Sequence, residues 1–125
     1  VIAQEVEKSM IKASKEFDVQ INEFTVAPQI NPEEGLPYHE WFIEFQKEPK
    51  DLEAFRIRID ELVQEQNAYY NDLIKGRMLK TLVITKVPKN GFQEYMKSVG
   101  KLGGQNKVPR LSNDRKIADE LEKQI

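Results

Sequence analysis

Between Lys97 and Lys116 the chain places six cations, Lys97, Lys101, Lys107, Arg110, Arg115 and Lys116, against a single acid, Asp114. That stretch carries +5 in a protein whose total is -2, so the remainder sums to -7. Three glycines, Gly100, Gly103 and Gly104, lie among the cations in "GKLGGQNKVPRLSN". Glycine lets backbone N–H groups approach a ligand closely, and neighbouring cations suit an anion such as phosphate. Gly103, Gly104, Gln105, Lys107 and Arg110 are therefore the candidates for meeting such an anion. Arg110 can grip phosphate bidentately or pair with an acid of its own domain. The stretch is no P-loop: that pattern needs Gly-Lys-Ser/Thr at a helix start, and here Gln105 and Asn106 separate Gly104 from Lys107.

Other residue types offer less. His39 is the only histidine and has no Ser, Cys or Asp partner at motif spacing, so it reads as structural. Trp41, Phe42 and Phe45 read as sheet surface and core rather than a base-stacking platform. Glu53, Asp60, Glu61 and Glu65 read as the solvated face of a helix. No HExxH or EF-hand pattern is present, so no metal site is expected.

The elements that must position the basic stretch follow from periodicity and punctuation. Ile2, Val6, Met10, Ala13 and Phe17 recur at helical spacing. The segments "VQINEFTVAPQI" and "YHEWFIEFQ" are rich in β-branched and aromatic residues, and "NPEEGLP" between them marks a hairpin. From Asp51 to about Lys75 a single long helix is expected, with Leu52, Phe55, Ile59, Leu62, Tyr69 and Leu73 on its apolar face and Gly76 as its stop. "KTLVITKVP" is the third strand, closed by Pro88. "GFQEYMKSV" makes a short helix, the basic loop follows, and Ser112 or Asn113 caps a last helix. The predicted fold is α+β: a small three-stranded mixed sheet with helices packed on it, in the order helix, strand, strand, helix, strand, helix, loop, helix. A right-handed crossover makes the second and third strands parallel, and the first is expected between them, antiparallel to both.

With 125 residues, 39% hydrophobic and 32% charged, the chain has the size and composition of one soluble domain. The absence of cysteine excludes disulfides and thiolate metal sites and favours the cytoplasm. No apolar run reaches the roughly 20 residues of a membrane span, and the slightly acidic total disfavours non-specific nucleic-acid binding, so neither partner is expected. Val1 is no initiator and the first helix is already under way, which reads as a domain excised from a longer protein.

"GFQEYMKS", the basic loop and "LSNDR" together resemble the C-terminal end of the auxin-responsive acyl-acid amido synthetases, the Gretchen Hagen family, with the bacterial members most similar. The family pattern of Gly, variable residues, then Gln-x-Lys-x-Pro-Arg falls on Gly100, Gln105, Lys107, Pro109 and Arg110. "FTVAP", "HEWFIEF" and "NAYYNDL" extend the resemblance over nearly the whole chain. "KLGG" departs from the plant members, which usually carry a serine and an asparagine there.

The resemblance implies a mobile C-terminal lid domain of an adenylate-forming ligase. In such an enzyme a carboxylic acid attacks ATP, supplied with Mg2+, and an amine or amino acid then attacks the acyl-adenylate. The partners it implies are the missing N-terminal adenylation domain and the acyl acid and amine substrates; the fragment alone is expected to bind no cofactor and to be inactive. Lys107 is the expected catalytic lysine, with Lys89 in "VPKNG" its competitor. The alternative is a free-standing α+β module whose basic loop holds a phosphorylated ligand or acidic partner.

Overall fold

The computed structural model describes residues 1–30, 33, 35–100 and 108–125. Helix α1 (Ala3–Phe17) leads into strands β1 (Gln20–Gln29) and β2 (Tyr38–Lys47). Helices α2 (Leu52–Gln66) and α3 (Ala68–Lys75) then cross to β3 (Val83–Lys86), and α4 (Gly91–Ser98) and α5 (Lys116–Glu122) complete the order. This is the expected α+β arrangement, with one helix more.

The extra helix comes from a break. Asn67 adopts extended backbone, φ -136° and ψ 101°, and closes α2 and opens α3 at once. Its N–H bonds the Val63 carbonyl at 3.0 Å, while its side-chain oxygen accepts from the Tyr70 N–H at 2.8 Å. An Asn side chain that satisfies a free N–H at a helix start competes with continuing the helix. The break resets the helical phase. Tyr69, expected on the apolar face, is 71% exposed, and Tyr70 takes the buried place at 2%.

The sheet order is β1-β2-β3, with β1 antiparallel to β2 and β2 parallel to β3. The parallel pairing agrees with the crossover rule, but β2 and not β1 holds the centre. The reason lies in "EWFIE": Glu40 through Glu44 are all buried, so β2 has both faces covered and belongs inside the sheet. A strand flanked on both faces reads as a near-continuous run rather than an alternation. Trp41 and Ile43 point into a core shared with Val6, Met10 and Ala13 of α1 and Phe55, Ile59, Leu62 and Val63 of α2. Phe42 points the other way, into a second core with Phe92, Tyr95 and Met96 of α4 and Ala118 and Leu121 of α5. The molecule is thus three layers deep, with α1 to α3 on one face of the sheet and α4 and α5 on the other.

Two further expectations change. The third strand is only four residues, because the Leu82 N–H is taken by the Asp60 carboxylate at 3.0 Å and the Lys80 N–H by the Pro37 carbonyl at 2.9 Å. Neither Ser112 nor Asn113 caps α5: the Asp114 carboxylate accepts from the Lys116 N–H at 3.0 Å, and the Ser112 N–H is spent on the Val26 carbonyl at 2.9 Å. Among the described residues no helix is long and apolar enough to cross a membrane.

Candidate functional site

The basic loop leaves from α4 and returns beside β1, and both of its feet are built from the sheet. At the start of α4, Asn90 sits in the left-handed region at φ 69° and offers no side-chain cap. The cap comes from β2 instead: the Glu44 carboxylate accepts from the Phe92 N–H at 3.2 Å and from the Asn22 side chain at 3.1 Å. A carboxylate at a helix N-terminus is favoured by the helix dipole as well as by the hydrogen bond. Gly91 is required there, since a Cβ would lie 2.4 Å from Val87 Cγ1. Helix α4 ends at Ser98, and two residues on Gly100 takes a φ of 71°, a conformation that glycine adopts at little cost.

The other foot begins at Val108, which is buried in the second core. Pro109 accepts a hydrogen bond through its carbonyl from Thr25 Oγ1 at 2.5 Å. The Arg110 carbonyl accepts from the Val26 N–H at 2.9 Å, and Leu111 forms a parallel bridge with Val26. Residues 109–112 therefore cover the open edge of β1. The Arg110 guanidinium folds over the same strand. Nη1 donates to Glu23 Oε1 and to the Phe24 carbonyl at 2.8 Å, Nε lies 3.9 Å from Glu7, and the guanidinium carbon sits 4.3 Å from the Phe24 ring centroid.

Of the residues expected to form the site, Gly103, Gly104, Gln105 and Lys107 lie outside the described residues, as does Lys101. Arg110 is described, and of the two roles open to it the one seen is pairing with acids of its own domain. Lys89 is exposed and precedes α4, whereas the loop follows it. An eight-residue helix, about 12 Å long, thus separates the two competing lysines along the chain.

The second arginine of the basic stretch is also committed internally. Arg115 Nη1 meets Glu40 Oε1 at 2.8 Å and Nη2 meets Glu122 at 2.7 Å, while Thr85 Oγ1 donates to the other Glu40 oxygen at 2.5 Å. This ties α5 to β2. Both arginines of the stretch are thus paired within the chain, whereas Lys97 and Lys116 are exposed. Glu40 and Glu44 escaped the sequence reading. The available signal was their spacing, since positions 40, 42 and 44 of one strand share a face and place two acids around Phe42.

The remaining candidates are structural. Asp60 is buried rather than solvated: its carboxylate accepts from the Tyr70 hydroxyl and the Gln64 amide, both at 2.5 Å, as well as from Leu82. Burial beside that carboxylate pushes the Tyr70 phenol well above its ordinary pKa. His39 lies 5.7 Å from the Tyr70 ring, and burial pushes its imidazole below the usual value, as a structural histidine requires. Among the described residues no cluster of three His, Asp or Glu could hold a metal ion.

Residues 4–116 match the GH3 family C-terminal domain. The fold is similar to a solved "GH3.15 acyl acid amido synthetase", with a TM-score of 0.75 and 20% identity over 96% of this chain. It is similar too to "AtGH3.15 acyl acid amido synthetase in complex with 2,4-DB", at a TM-score of 0.74 and 19% identity over 96%. This chain spans 23% of the length of each of those two. No curated protein sequence matches it. With the match running from α1 to the first residue of α5 and so including the basic loop, the chain belongs to the GH3 family and is its C-terminal domain.

Proposed function

We propose that this chain is the mobile lid of an ATP-dependent acyl-acid amido synthetase and acts on a site held mainly by the N-terminal part of its parent. The carrying observation is the family match over 4–116 by a chain that spans 23% of its solved neighbours. In this reading a carboxylate attacks the α-phosphorus of Mg2+-ATP and pyrophosphate leaves. An amine or amino acid then attacks the acyl carbon, and AMP leaves with the carboxylate's former C–O bond electrons. Lys107 brings an ammonium to charge that develops on the carboxylate and α-phosphate oxygens, while Gly103, Gly104 and Gln105 let the backbone approach. Closure over the adenylate excludes water, which would otherwise hydrolyse it. We place the parent among the bacterial members on the "KLGG" departure, and in the cytoplasm, where ATP is available and a cysteine-free chain loses nothing.

Carboxylate-dependent exchange of pyrophosphate into ATP tests this reading. The parent enzyme is expected to exchange with at least one acid of a panel of aryl and indolyl carboxylates, and the isolated 125-residue chain with none. No exchange by the parent with any acid overturns the ligase reading, and exchange by the isolated chain overturns its assignment as a lid.

A further inference from the structure

We infer that Arg110 is a positioning residue, which locks the returning foot of the basic loop to β1 and does not bind phosphate. The inference deepens the ligase reading, because it matters for catalysis only if the loop works on a nucleotide. Its physical content stands on the geometry alone.

An arginine that recognises phosphate presents two parallel N–H groups to its ligand. Here Nη1 is spent on the Glu23 carboxylate and the Phe24 carbonyl, and the guanidinium rests on the Phe24 ring. Glu23 and Glu7 stand on either side, so two carboxylates face one cation and the local sum is -1. A phosphate approaching that cluster would meet net repulsion, and it would have to displace a carboxylate already in place.

The same residue is tied to the same strand through its backbone. From Pro109 to Ser112 the foot makes hydrogen bonds to Thr25 and Val26, while the side chain reaches back to Glu23 and Phe24. A single β-bridge is a weak attachment, since it orders several backbone groups for few bonds. The guanidinium supplies the missing hold: a charge-assisted pair, a carbonyl bond and a ring contact, with its side chain only 26% exposed. Its partner Glu23 sits just beyond an irregularity in the β1–β2 register.

The test uses Arg110→Gln, Arg110→Lys and Glu23→Gln in the full-length parent. Hydrogen exchange is read at the peptides that carry the Val26 and Ser112 amides, with α2 as reference. Arg110→Gln and Glu23→Gln should each speed exchange there by about tenfold and leave α2 unchanged, and Arg110→Lys should recover part of the protection. In adenylation both neutralised variants should lower kcat by about tenfold, with the KM for ATP held within about twofold. If Arg110→Gln instead raises the KM for ATP by about tenfold while Glu23→Gln leaves both KM and exchange as in wild type, Arg110 is a phosphate ligand and the inference fails. Unchanged exchange at Val26 and Ser112 in Arg110→Gln also overturns it. Should the parent prove inactive as a ligase, the exchange measurement still decides what Arg110 does, so the two failures are told apart.

Discussion

His39 shows how a residue that could do chemistry is held to structure. Its ring packs on Tyr70, and burial, opposed by Asp60, holds its pKa below the ordinary 6.5. The folded chain therefore keeps His39 neutral where the unfolded chain protonates it. In that window the unfolded state binds more protons, so stability is full above about pH 6.5 and is lost as pH falls towards the depressed value. The urea midpoint of the wild type should drop between pH 7.5 and 5.5, and His39→Phe, which keeps a ring against Tyr70, should flatten that drop. Parallel pH profiles for the two proteins would mean that His39 does not titrate as its surroundings require. The structural role of this histidine was legible because it had no partner at motif spacing. What Arg110 touches was not, since Glu23 lies 87 positions away along the chain and pairing over that span is decided by packing.

At the scale of elements, Asp60 joins three pieces: its own helix α2, Tyr70 of α3 and Leu82 just before β3. Asp60→Ala would leave the Tyr70 hydroxyl and the Leu82 N–H buried without acceptors. The expected loss is about 2–4 kcal/mol of unfolding free energy, in the range for stranding buried polar groups. Glu61→Ala, one residue on and exposed, should change stability by less than about 0.5 kcal/mol. Urea unfolding compares them directly, and equal small losses would show that the Asp60 knot holds nothing. Periodicity located the three strands and the helical stretches, yet it could not tell this buried acid from its solvated neighbours, because composition along α2 looks alike at positions 60, 61 and 65. The break at Asn67 was hidden for a related reason. "QNAYYND" contains neither Gly nor Pro, and the stop depends on one side chain capping Tyr70. Strand order failed differently: the crossover rule fixes direction, whereas the central place goes to the strand whose two faces both find helices.

Across the whole molecule, the sheet divides labour between its faces. One carries α1 to α3 and most of the apolar core; the other carries α4 and α5, held by the Glu44 cap and the Glu40–Arg115 pair. The basic loop spans from α4 to the edge of β1, so β2 and β1 between them set where it starts and where it returns. The cluster of glycines and cations was plain in the sequence, and its supports were not, because each lies on a distant strand. The claim that most needs testing is that one lysine of this loop does the chemistry. Acyl-adenylate formation by the full-length parent, measured under single-turnover conditions, addresses it. Lys107→Ala should slow that step by about 10²–10³, a typical loss for one preorganised charge, with an unchanged melting temperature. Lys107→Arg should recover part of the rate, since a planar guanidinium does not place its charge where an ammonium does. Lys89→Ala, ahead of α4, should cost far less. A near-normal rate for Lys107→Ala, or equal losses at both lysines, would contradict the account.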